Sequence, residues 1–183
     1  MSAPTLPITP EDGWTLDNLP DNLPKHTELI RGVLVVSPQK IWHMAVLDVL
    51  RVLLQGEAPE QYVILREMAV KRSPRSAPEP DLSVVHASAF DWDKSVLQPA
   101  DVLVAAEVIS PESEERDRED KPLMYAAMGI PTFWLIERGA DNAPIVHEHQ
   151  LYGGSYQLKH THIGHMTTDV PFPIDIPLKT PKP

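Results

Sequence analysis

The sequence predicts a mixed α/β domain, and three observations carry that reading. Short apolar runs such as Leu82–Val85 and Val102–Val108 have the length of buried strands. The segment Ile41 to Gln55 is apolar around most of a helical circumference, with Asp48, Arg51 and Gln55 forming a polar stripe. A second, heavily charged helical segment then falls between two of the strand-like runs. A chain of 183 residues suits one domain with one core, and its 42% hydrophobic and 23% charged residues are ordinary for a globular protein.

In chain order, Thr27 to Ile30 and Val33 to Ser37 flank Arg31-Gly32 and predict a hairpin. The helix from Ile41 to Gln55 comes next, with Gly56 placed to stop it. Tyr62 to Lys71 reads as a strand and Ser73 to Pro80 as a proline-broken loop. Asp81 to Val85 and Val102 to Val108 are the two short central strands. Arg116 to Met128 is helical and Gly129 its stop; Pro122 is tolerated only near the first turn, where amide donors lack intrahelical partners. Thr132 to Glu137, Pro144 to His149 and Tyr156 to His160 complete the strands, the last two joined through Tyr152-Gly153-Gly154.

Composition narrows the function. Without cysteine there are no disulfides and no thiolate zinc site. No apolar run approaches the roughly 18 residues of a membrane helix and no signal-peptide pattern opens the chain, so a cytoplasmic protein without membrane contact is expected. A formal charge of −10 argues against broad, sequence-indifferent nucleic-acid binding but leaves room for a local basic surface, for which Lys71, Arg72 and Arg75 are candidates.

The chemistry gathers around two acids at strand ends. Strand alternation puts Leu103, Ala105 and Glu107 on one face and Val102, Val104 and Val108 on the other, so Glu107 ends an otherwise apolar row. If Asp81 lies on the neighbouring strand, the two carboxylates converge on one hard cation, Mg2+ or Mn2+, with the Val108 backbone carbonyl as a further oxygen ligand. Asp117, Lys121 and Tyr125 recur every four residues and share a helical face. A lysine there would orient a water and stabilise charge on a phosphoryl oxygen, with Asp117 and Tyr125 as supports. Plainer readings stay open: Asp81 as a turn residue, Glu107 as an ion-pair partner, Asp117–Lys121 as a simple helix pair, Tyr125 as packing. The histidines His147, His149, His160, His162 and His165 offer a weaker alternative metal site, without the i,i+4 spacing of a helical zinc motif.

Pro80-Asp81, Glu107-Val-Ile-Ser-Pro111, Asp117-x-x-x-Lys121-x-x-x-Tyr125, Gly129-Ile-Pro131 and Phe133-Trp134-Leu-Ile-Glu137 together resemble the Uma2 family. The stretch Glu28 to Pro38, with His43 opening the next helix, is similar to that family's start. The resemblance implies a restriction-endonuclease-like PD-(D/E)XK fold, a mixed β-sheet flanked by helices behind an N-terminal β-hairpin. It also implies a divalent-metal endonuclease acting on DNA, with Asp81 and Glu107 as metal-binding acids, Glu28 as a third acid and Lys121 as the catalytic lysine. The wider superfamily carries its lysine two residues after the glutamate, where this chain has Ile109. The family-like domain spans 27–176, between a proline-rich, partly ordered extension (1–26) and a tail (177–183). By fold analogy a homodimer is expected. The competing reading is a non-catalytic binding or regulatory module on the same fold.

Overall fold

The computed structural model describes residues 9–181, so the outer parts of the expected extension and tail lie outside the described residues. Strands β1 (Thr27–Ile30) and β2 (Val33–Val36) form an antiparallel hairpin. Its turn runs through positive φ at Arg31 (52°) and Gly32 (82°), the geometry that matches the twist of the flanking strands. The φ of Gly32 favours glycine there, and the Arg75 guanidinium packs against the open space its missing side chain leaves.

Helix α1 spans Ile41–Glu57, and no side chain caps its first turn at Lys40. Burial of His43, Val46, Leu47, Leu50 and Leu54 holds it instead, about 1.5–3 kcal/mol for each leucine. The sequence places a stop at Gly56, but the helix passes through it to Glu57. Ala58 is extended (ψ 123°) because the adjoining Pro59 excludes the helical region from the residue before it.

The sequence predicts one strand over Tyr62–Lys71; the structure has two. β3 (Tyr62–Arg66) ends at Glu67, whose φ of 52° turns the chain, and β4 (Ala69–Val70) leaves the main sheet. After β5 (Leu82–His86), the short β6 (Val96–Leu97) pairs with β4 in parallel. β7 (Val102–Val108) leads to a π-helical turn at Arg116–Asp120 and then to the regular helix α2 (Lys121–Ala127). Pro122 stands just past the π turn, inside a helical run that begins at Glu114, so the expectation that a first turn excuses its missing N–H is not met; the regular hydrogen-bond spacing gives way to the π turn directly ahead of it. β8 (Thr132–Arg138), β9 (Pro144–Tyr152) and β10 (Ser155–Ile163) outrun their expected lengths. A final hairpin, β11 (His165–Thr168) and β12 (Ile174–Pro177), is not among the elements the sequence predicts.

Six strands build the central sheet in the order β10-β9-β8-β7-β5-β3, antiparallel except between β7 and β8. A parallel pair needs a crossover, and the π turn with α2 provides it. On one face α1 and the β11–β12 hairpin cover Leu82, Val84, Val104, Ala106, Val108, Trp134 and Ile136. On the other, Tyr125 and Ile130 pack with Ala105, Phe133 and Leu135. Alternation is interrupted between β5 and β7. The β5–β7 register shifts between Val84 and Val85, so Val102 packs with Ala105 while Leu103 joins the face of Val104, correcting the expected assignment of both. Among the described residues no helix is long and apolar enough to cross a membrane.

His149 makes one consequence of this packing measurable. It is half-buried beside Phe133, its Nδ1 hydrogen-bonded to the His147 carbonyl (3.0 Å), and burial holds its pKa below the ordinary 6.5. Below pH 6.5 the unfolded chain takes up a proton that the folded chain resists, so this contribution to stability is complete above 6.5 and is lost as pH falls. His149→Gln is expected to flatten the fall in stability between pH 7 and 5 relative to wild type in urea titrations. Parallel curves for the two proteins would refute it.

Candidate active site

Pairing of β5 with β7 sets Leu82 opposite Ala106, so Asp81 and Glu107 occupy the next position along the ladder. Alternation turns both away from the α1 face that Leu82 and Ala106 share. Asp81 Oδ2 accepts a hydrogen bond from the Val108 amide (2.7 Å) and lies 3.0 Å from His43 Nε2 on α1. Glu107 Oε2 accepts from Lys121 Nζ at 2.8 Å, and its Oε1 accepts from the Tyr125 hydroxyl. Lys121 Nζ is also 3.2 Å from Glu28 Oε1 and 3.6 Å from Asp117 Oδ1. Glu28 arrives on β1, which bridges the loop before β5 through Leu29 and Ala77, and its Oε1 accepts the Glu79 amide (2.7 Å). The Ser113 hydroxyl donates to Asp117 Oδ2.

The structure thus brings together Asp81, Glu107, Lys121, Glu28, Asp117 and Tyr125. Val108 also meets the cluster through its amide N–H, which donates to Asp81 Oδ2. Lys71, Arg72 and Arg75 do not line the cleft; Arg75 packs under the hairpin at Gly32.

Charge in this cleft is unbalanced. Five carboxyl groups line it (Glu28, Glu79, Asp81, Glu107, Asp117) against one ammonium, Lys121, and both Glu107 and Asp117 are only 1% exposed. Burial pushes Glu107 well above the usual carboxylate range despite the opposing Lys121 charge. Burial raises Asp117 as well, and burial with the neighbouring Glu28 takes Glu79 up to about 8. Asp81 goes the other way. Burial raises it, but the His43 hydrogen bond and charge, Lys121 and the Val108 amide together hold it below its ordinary value. Lys121, which burial alone would neutralise, is kept charged by Glu107, Glu28 and Asp117.

The donor set is all hard oxygen, which suits Mg2+ or Mn2+. Asp117 Oδ1 is buried without a hydrogen-bond donor, and a cavity of about 30 Å³ opens among the acids, room for a particle or two of water size. Among the described residues no three His, Asp or Glu side chains are already gathered around a single point as a metal would require; the Lys121 ammonium bridges the acids instead. By type and charge the residues fit a divalent cation. The histidines of β9 and β10 are engaged elsewhere, His147 with Glu137 and Thr161, His162 with Glu148.

Removing one donor tests how tightly the acids are held. Tyr125→Phe leaves Glu107 Oε1 without its partner inside a fully buried site, and is expected to cost about 1–3 kcal/mol in denaturant unfolding. A loss below a few tenths would mean that water replaces the hydroxyl.

The sequence profile described as "Uma2: Putative restriction endonuclease" matches residues 15–177. The chain belongs to the Uma2 family. The crystal structure of a "putative nuclease belonging to DUF820" from Anabaena variabilis ATCC 29413 superposes with a TM-score of 0.60 at 18% identity, covering 81% of this Uma2 chain and 82% of its own. At that identity the likeness establishes the shared fold, a mixed sheet flanked by helices, as the resemblance to the family implies. No functionally curated protein matches.

Three residues of this Uma2 site escape sequence reasoning. His43 has the place of any core residue on the buried stripe of α1; the signal is a histidine among leucines and valines. Glu79, two positions before Asp81, hides in a proline-broken loop. Ser113 sits in a charged connection where a hydroxyl draws no notice.

Proposed function

We propose that this Uma2 protein is a divalent-metal-dependent endonuclease that hydrolyses DNA phosphodiester bonds at the acidic cleft. One observation carries the reading: five buried or half-buried carboxyl groups share a single ammonium in a cleft that reaches the surface. Burying a charged carboxylate costs several kcal/mol; burial raises Glu79, Glu107 and Asp117 toward holding protons, and a bound cation would take the place of those protons.

Asp81 and Glu107 would hold the metal, with Asp117 Oδ1 as a further oxygen. When bound, Mg2+ or Mn2+ supplies polarisation of a phosphoryl oxygen and a water of lowered pKa. The protein's own groups do the positioning. Lys121 sets its ammonium against the oxygens on which negative charge grows. Tyr125 fixes one oxygen of Glu107, Ser113 fixes Asp117, and His43 with the Val108 amide fixes Asp81.

The test is cleavage of single-stranded, duplex and branched DNA by purified protein in magnesium, manganese and EDTA. Metal-dependent strand scission that Lys121→Met abolishes supports the proposal. Silence on every substrate, or equal rates for the two proteins, defeats it. Ile109 at the superfamily's lysine position and the charge of −10 favour a second reading, a non-catalytic binding module. That reading is favoured if metal binds and no substrate is cut.

A further inference from the structure

We propose that the cavity beside the acidic cleft, walled by Trp42, Ile109 and Pro111 and rimmed by Lys40, Arg118 and Arg138, receives one unpaired nucleotide of a strand whose neighbouring phosphate lies at the carboxyl cluster. The inference deepens the nuclease reading and rests on it for the chemistry at that phosphate.

The cavity has a volume of about 300 Å³, within the range of small-molecule sites, about 300–1,000 Å³. His43 and Ser110 line both it and the acidic cleft, so the two are immediate neighbours. Three cationic side chains and two acids, Glu114 and Glu137, line it around an aromatic and apolar wall, a better balance of charge than the acidic cleft next to it.

These cations are not equivalent. Lys40 Nζ is spent on Glu112 (2.8 Å), and Arg118 gives its Nε and Nη2 to Glu114 and Glu137. Arg138 lies over the Trp42 ring, its Cζ 5.7 Å from the centroid, and its Nε donates to Asn142 Oδ1 (2.8 Å). The Trp42 indole N–H donates to the backbone carbonyl of the same asparagine (2.8 Å). Ring and guanidinium are therefore held in register by Asn142. Among the described residues the hydrogen bond of Arg138 is made by its Nε, and its two terminal amino groups have no hydrogen-bond partner.

A guanidinium with a free planar fork suits a phosphate. An aromatic ring beside apolar walls suits the face of a base, which stacking recognises without regard to sequence. A base inside a duplex has both faces covered by its neighbours. The cavity therefore selects a strand end, overhang, flap or single strand over a continuous duplex.

The probe is a short fluorescein-labelled single strand, compared with a blunt duplex of the same sequence. Binding is measured on proteins with an intact Glu107, with Ca2+ in place of Mg2+ as a hard cation for the same oxygen ligands, and gels run alongside confirm that the strand stays intact. Trp42→Ala and Arg138→Met are each expected to weaken single-strand binding about tenfold and leave the duplex unchanged. Trp42→Phe, which keeps a stacking face, should recover most of the loss. Arg138→Met should also reduce the slope of log affinity against log salt by about 0.7, the value of one phosphate contact on a single strand. Arg138 is exposed, so this arm does not depend on whether Trp42→Ala folds. Unchanged single-strand affinity in Arg138→Met and Trp42→Phe together with Trp42→Ala, or equal losses on the blunt duplex, overturns the proposal. Because the binding measurement requires no cleavage, losses as described in a protein that cuts no substrate would retain the subsite and remove the nuclease.

Discussion

Lys121→Met is expected to destabilise the folded protein by about 3–5 kcal/mol at neutral pH, the usual consequence of taking one partner from a buried ion pair. Three carboxyl groups, Glu107, Glu28 and Asp117, lie within 4 Å of that ammonium, and none has another cation at that distance among the described residues. Methionine keeps most of the stem's volume, so packing is conserved and the charge alone is tested. Glu107 and Asp117 already sit above their ordinary carboxylate values because they are buried; without the lysine they rise further. Above about pH 4.5 the unfolded chain has released those protons while the folded variant still holds them, so its stability falls as pH rises. The deficit against wild type, read from urea unfolding at pH 5 and pH 8, should be larger at pH 8. A deficit independent of pH would locate the damage in packing.

Magnesium or manganese is expected to stabilise the wild-type protein. At a hundredfold excess over the dissociation constant the gain is about 2.7 kcal/mol, on the order of 5–10 °C in Tm for a chain of this size. EDTA should reverse it. Asp81→Asn and Glu107→Gln should each remove most of the shift, since a neutral amide brings no charge to the cation. Asp81→Asn is the cleaner variant: the amide oxygen can still accept from Val108, so the local fold has a route to persist. An equal shift in wild type and both variants would place the ion elsewhere on an acidic surface.

Much of this site is legible in the amino-acid sequence because its rarest events are local. An acid closing the row Val102 to Val108 is conspicuous, and the spacing of Asp117, Lys121 and Tyr125 reflects helical geometry alone. Glu28 emerges only through the family resemblance, and Asp81 gains its weight there, since taken singly each has an ordinary explanation. His43 is legible as a buried position and not as a partner of Asp81, because that contact joins residues 38 apart in the chain. The fold shows the same division. Strands buried on both faces stand out as apolar runs; β11 and β12, short and with proline around them, do not, although Met166, Phe172, Ile174 and Ile176 close one side of the core. The break at Glu67 depends on a backbone angle that no pattern of apolar residues encodes.

The π turn ahead of α2 has a consequence for how the lysine reaches its acids. The Lys121 amide bonds to the Arg116 carbonyl, five residues back, so this turn carries one residue more than a regular helix would. Deleting a single residue between Glu115 and Lys121 would restore the ordinary spacing and rotate the remainder of the helix by about 100°. Lys121 and Tyr125 would then swing off Glu107 together. The extra residue acts as a phase setting: a smoother helix at this point would be a better helix with the acidic cluster taken apart.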